Sequence, residues 1–126
     1  MKSFGRVIVG AGASTALLGL VIWLGYGYGL GPIHMILGIV FVLAVWIAAF
    51  FAARAGAPAR AVGCAIGWSV ALLALGVAQK ALLPGAWHWT IQALHAVTGV
   101  GAMMAARRLV MGRWEAPAPR QLERNF

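Results

Sequence analysis

Four apolar stretches, each close to the length that crosses a bilayer, constrain this chain more than any other feature. They run from about Val7 to Tyr28, Ile33 to Ala53, Ala61 to Leu83 and Ala86 to Ala106, and ~20 helical residues span the ~30 Å hydrocarbon layer. Glycine and proline punctuate the gaps, at Gly29-Leu30-Gly31-Pro32, from Arg54 through Gly56 and Pro58 to Arg60, and at Pro84-Gly85. The pattern predicts an all-α polytopic membrane protein. Because the connections are short, its four transmembrane helices should pack as an antiparallel up-down bundle. Composition agrees: 63% of the 126 residues are hydrophobic, 10% are charged, and the mean hydropathy is +0.89. A soluble domain of this size could not keep that much apolar surface from water.

The basic residues set the expected orientation. Lys2 and Arg6 precede the first stretch, Arg54 and Arg60 flank the second gap, and Arg107, Arg108, Arg113, Arg120 and Arg124 follow the fourth, leaving Lys80 alone on the opposite side. This bias predicts that both termini are cytoplasmic, as in a bacterial inner-membrane protein. Tyr26, Tyr28, Trp87 and Trp89 would then form the outer aromatic belt. The first apolar run is longer than the usual signal-peptide core, so it reads as a span. Residues 1–113 form the membrane domain and 114–126 a short cytoplasmic tail, suited to anionic headgroups or a partner subunit. Topology explains nine of the ten basic residues, so the net charge of +8 is no sign of nucleic-acid binding.

The only carboxylates are Glu115 and Glu123. Their confinement to the tail excludes paired-carboxylate hydrolysis, carboxylate-bridged metal centres and transport that requires an intramembrane acid. The single cysteine, Cys64, forms no intrachain disulfide and reads as a small packing residue. Nothing resembles a nucleophile with an activating base, so the chain is not read as an enzyme on its own. Histidine chemistry is what remains.

Two further patterns bear on packing. At an offset of 54 residues Arg6 maps onto Arg60, His34 onto His88 and Arg54 onto Arg108, which suggests a parallel repeat of a two-helix unit. Small residues also recur four apart, at Gly10 and Ser14, Gly12 and Ala16, Gly63 and Gly67, and Gly101 and Ala105. Such strips let helices approach closely in lipid, within a bundle, in a homo-oligomer or against partner subunits.

His34, Gln79, Lys80, His88, Thr90, Gln92 and His95 all fall in the half of the spans away from the basic flanks. His88, Gln92, His95 and Gly99 share one helical face, which should look into the bundle because a polar stripe toward lipid is costly. His34 with Gly38, and His95 with Gly99, repeat one pattern: an aliphatic residue, His, three residues, Gly, then an aliphatic residue. A neutral imidazole can ligate haem iron, and a glycine one turn along leaves room for a flat ring.

In these segments the chain resembles the four-helix membrane b-type cytochromes, the quinone-linked di-haem group of superoxide oxidase type. The resemblance covers helices 2 and 4. It implies haem b held by His34 and His95 as axial ligands, Gly38 and Gly99 making room for it, and quinone as a redox partner. With three histidines, one bis-histidine haem is the most this chain can hold, and it would lie toward the outer leaflet. Depth complicates the pairing. His34 lies 20 residues before Arg54 but His95 only 12 before Arg107, a difference of ~12 Å along the helix axis. His88 matches His34 by depth and His95 matches it by motif, so both pairings stand. Lys80 could anchor at the interface or neutralise a haem propionate.

Three functions follow in order. The first is a haem b electron-transfer or anchor subunit. The second is a cofactor-free accessory or assembly subunit of a larger membrane complex. The third, a small transporter or channel, lacks carboxylates and any discontinuous-helix signature.

Overall fold

A computed structural model of the chain describes residues 2–112. The described residues form four helices and no strand: α1 (Lys2–Trp23), α2 (Gly31–Arg54), α3 (Ala59–Ala78) and α4 (His88–Val110). Three of them, α1 from Phe4, α2 and α3, are long and apolar enough to cross a membrane. At 23 residues α4 is also long enough, but His88, Thr90, Gln92, His95 and Thr98 dilute its apolar character. The tail placed at 114–126 lies outside the described residues.

Each helix packs on its neighbours in sequence, α1 closes the ring against α4, and α2 meets α4 across the short diagonal. α1 runs antiparallel to α2 and α4, since Gly12 and Gly19 meet Phe41 and His34 while Gly5 and Gly12 meet Val110 and Met103, and α3 runs antiparallel to α4, where Trp68 and Gly76 meet Gly101 and His95. On α1, Gly5, Gly12 and Gly19 recur every seven residues, so they form one stripe facing the rest of the bundle. A Cβ at Gly5 would stand 2.7 Å from Val110 of α4, one at Gly12 2.8 Å from Phe41 of α2 and 3.3 Å from the Met103 sulfur, and one at Gly19 2.8 Å from the His34 ring. No side chain larger than hydrogen fits there without displacing its neighbour. Of the strips at four-residue spacing, Gly12 and Gly101 lie at helix contacts, while Gly10, Gly63 and Gly67 face open space.

Helix ends differ from the hydropathy boundaries. The first helix stops at Trp23 instead of Tyr28, since Gly25 and Gly29 turn the chain with φ of +85° and +88°. The third stops at Ala78 instead of Leu83: Ala81-Leu82-Leu83 continue the apolar run, but the chain has already turned, with Leu83 itself left-handed at φ 45°. α4 begins at His88, after Pro84-Gly85, and runs four residues past Ala106 to Val110.

The buried core occupies one half of the bundle only. Ile8, Phe41, Val42, Val45, Ala48, Ala49, Ala52, Ala65, Ala102, Ala106 and Leu109 fill the end where the arginines lie. Ser69, fully buried, links α3 to α2 by accepting a 2.8 Å hydrogen bond from the Trp46 indole and donating to the Ile66 carbonyl. In the opposite half no helical residue is buried: none in α1 after Gly12, in α2 before Phe41, in α3 after Ser69 or in α4 before Thr98. The outward faces carry large apolar side chains, such as Leu17 at 65% and Val77 at 70% exposure, whose natural solvent is lipid. Tyr26, Tyr28, Trp87 and Trp89 are all exposed at the end where α1 joins α2 and α3 joins α4, the place of the expected belt.

Candidate histidine site

His34 lies in the first turn of α2, two residues after Pro32, whose fixed φ suits that turn. His95 stands two turns into α4. The two rings meet across the α2–α4 diagonal, with centroids 6.3 Å apart and planes inclined by 69°. Each is seated on a glycine of a flanking helix. The His34 Cε1 edge lies against Gly19 of α1, and the His95 Cε1 edge against Gly76 of α3, where a Cβ would stand 3.1 Å away. The Nδ1 atom of each ring is buried and has no hydrogen-bond partner. A buried polar nitrogen without a partner is expensive in an apolar setting, so a group that satisfied either one would be stabilising; the His34 nitrogen lies toward α1 and the His95 nitrogen toward α3.

His88, by contrast, serves the chain itself. Its Nδ1 lies 3.2 Å from the Leu82 carbonyl oxygen, tying the start of α4 to the turn before it. The 54-residue offset aligns His34 with His88, but in space His34 stands against His95, two turns further along α4. The depth comparison assumed that Arg54 and Arg107 lie level. Instead, the glycine stripe of α1 sets the register, since Gly12 brings Phe41 and Met103 to one level just as Gly19 receives His34.

The two motif glycines are placed differently from one another. Gly38 has nothing within 4 Å of a would-be Cβ, so it opens on unfilled space; a Cβ at Gly99 would meet Leu72 of α3 at an ordinary 3.6 Å. Lys80 is exposed in the turn after α3. Thr98, one turn beyond His95, donates its hydroxyl proton to the His95 carbonyl at 2.8 Å. Cys64 is exposed on the outer face of α3 and does not fill the bundle interior.

Gly19 and Gly76 are the site residues that the sequence reading missed. For Gly19 a signal exists, the seven-residue spacing of Gly5, Gly12 and Gly19. For Gly76 none exists short of knowing how α3 registers on α4.

Chemically, the site offers two imidazoles. Their centroid separation of 6.3 Å is no larger than two imidazoles on one metal ion can span. The described residues contain no cluster of three or more His, Cys, Asp or Glu, so no third protein ligand converges on the pair. Comparison with protein-family models, curated proteins and solved structures finds no match to this chain.

Proposed function

We propose that this chain is a haem b-binding membrane subunit, with His34 and His95 as axial ligands, that exchanges electrons with quinone or with a periplasmic redox protein. The single observation that carries the reading is the His34–His95 pair: two imidazoles 6.3 Å apart, each with a buried, unpartnered Nδ1. A donor set of two suits a haem, whose macrocycle supplies the other four ligands, better than a bare ion such as zinc, which takes four ligands from protein and water. At Gly38, one turn along α2 from His34, a would-be Cβ meets nothing within 4 Å, so a flat group could approach the helix there.

When bound, haem supplies one-electron chemistry, and the protein's share is binding, orientation and electrostatics. His34 and His95 would hold the iron, and Gly19 and Gly76 seat the two rings. Lys80, exposed in the turn after α3, would be available to neutralise a propionate. In this reading α4 is the fourth span, both termini are cytoplasmic and the membrane is a bacterial inner membrane. The arginine-bearing end and the aromatic belt at the other end support that orientation.

A second reading, a cofactor-free accessory or assembly subunit, has one observation in its favour. Cys64, Gly67, Trp68 and Ala71 line a shallow depression on α3, a surface to which another helix could fit. The two readings separate on purification. Protein expressed with supplemented haem should carry about one b-type haem per chain. A folded, stable preparation without a Soret band would contradict the haem reading and leave the accessory one.

A further inference from the structure

The α3–α4 seam carries one unengaged amide next to His95, on the side away from the dry core. Trp68 and Leu72 of α3 lie against Gly101 and Gly99 of α4, and Gly76 lies against His95, so the two helices keep step along the seam. Gln79 follows Leu72 by seven residues and Gly76 by three, which puts it on the same face of α3, one turn outward of His95. Its backbone is still helical, with φ of −54°, ψ of −35° and the N–H bonded to the Leu75 carbonyl. Its side chain is half-buried and makes no hydrogen bond among the described residues. Helical side chains lean toward the N-terminus of their own helix. Because α3 and α4 are antiparallel, Gln79 leans inward toward Gly76 while His95 leans outward, and the two converge on the space that Gly76 leaves free of a side chain.

We propose, resting on the haem reading, that Gln79 is a positioning residue whose side-chain carbonyl accepts the Nδ1–H of His95, while His34 has no such acceptor, so that the two axial imidazoles are inequivalent. The His95 Nδ1 is buried on the α3 side, which leaves Nε2 for iron. An imidazole bound through Nε2 carries its proton on Nδ1. A ligating histidine that gives that proton to an acceptor is fixed in orientation and becomes a stronger donor. In the structure the nitrogen has no partner, and rotation about the Gln79 side-chain bonds supplies one. On the α1 face around Gly19, by contrast, no side chain is placed to accept from His34. Thr15, one turn inward, donates its hydroxyl to the Ala11 carbonyl, whereas the His34 ring leans outward; Ile22 and Trp23, one turn outward, offer no acceptor. Gln92 of α4 is level with Gln79, but it precedes His95 on the same helix and leans away from it.

Redox potentiometry of the haem-loaded full chain, followed at the reduced visible bands, tests this. Loss of the acceptor weakens His95 as a donor and favours ferrous iron, so Gln79→Leu should raise the midpoint potential while keeping a low-spin spectrum. The expected size is a factor of about three to ten in the ferrous-to-ferric ratio at fixed potential, the scale of one neutral hydrogen bond, or about 30–60 mV at ~59 mV per tenfold for one electron. Gln79→Glu, which restores an acceptor, should stand at or below the parent, and it decides the matter if Gln79→Leu is not obtained with haem. Gln92→Leu removes an amide at the same level and should leave the potential unchanged. A parental potential in Gln79→Leu overturns the inference and leaves the haem reading intact. So does an equal rise in Gln92→Leu, which would mean a general loss of polarity at the outer end, and so does a potential in Gln79→Glu above that of the parent. A parent without haem absorbance overturns both.

Discussion

The imidazoles of His34 and His95 face each other across the diagonal of the bundle at 6.3 Å, although sequence depth sets them about two helical turns apart. α4 is displaced along its axis relative to α2, so position 34 is level with position 95 and not with 88. In a Cys64→Ala background, which removes the one exposed native thiol, His34→Cys/His95→Cys should therefore be bridged in high yield by a short bifunctional thiol reagent. His34→Cys/His88→Cys should be bridged poorly. The reverse ranking would restore the register in which the arginines are level.

Glycines should respond according to what a methyl group meets. At Gly19 and Gly76 a Cβ intrudes on a histidine ring at 2.8 and 3.1 Å, and overpacking of this kind costs about 1–3 kcal/mol when the neighbour cannot move. Gly19→Ala and Gly76→Ala should lower the unfolding midpoint in detergent and reduce haem content. Gly38→Ala meets nothing within 4 Å and gains helix propensity, so the haem-free protein should be unchanged or stabilised by up to about 1 kcal/mol. If a macrocycle packs on Gly38, the same variant should bind less haem, which a haem-to-protein ratio reads directly.

Ser69 is the buried acceptor for the Trp46 indole N–H at 2.8 Å. Ser69→Ala leaves that donor without a partner where no water replaces it. Interhelical hydrogen bonds in membranes average ~0.6 kcal/mol with a maximum near 1.7, so the loss should be about 0.5–1.5 kcal/mol in denaturation by sodium dodecyl sulfate. A change near zero would mean that the indole finds another acceptor.

Topology can be read by thiol labelling at positions that tolerate substitution. Gly29 and Gly56 are poor choices because their φ values of +88° and +87° strain any side chain. Tyr28, 98% exposed, and Ala55, with φ of −86°, are better. In the Cys64→Ala background an impermeant maleimide should reach Tyr28→Cys from outside intact cells, and Ala55→Cys only after permeabilisation. The opposite result would invert the bundle in the membrane.

Four helices and the spans of three were legible because apolar length and Gly-Pro breaks are local signals. Helix ends were less so. Ala81-Leu82-Leu83 is as apolar beyond α3 as within it, and hydropathy cannot distinguish a turn at an interface from one more helical turn. The pairing of His34 with His95 was legible as a shared motif, whereas depth counted from arginines pointed to His88, because counting assumes a register that only helix contacts determine. Gly19 was visible as the third member of a seven-residue glycine series but not at the four-residue spacing first sought. Gly76 could not be found, since its role depends on the level at which α3 meets His95. The confinement of the dry core to the arginine end was equally hidden, because both halves of each span are apolar and only packing separates them.

The central claim rests on which two imidazoles hold the iron, and the visible absorption spectrum of three single-histidine variants tests it most directly. Each should be purified with the parent from haem-supplemented cells and recorded before and after dithionite. The account predicts that the parent shows a sharp Soret band and resolved visible bands of a low-spin b-type haem on reduction. His34→Ala and His95→Ala should each lose those bands or convert them to a high-spin form while the protein still inserts, and His88→Ala should retain them, since its Nδ1 serves the Leu82 carbonyl. A parent protein without haem absorbance, or a spectrum abolished by His88→Ala and untouched by His95→Ala, would contradict it.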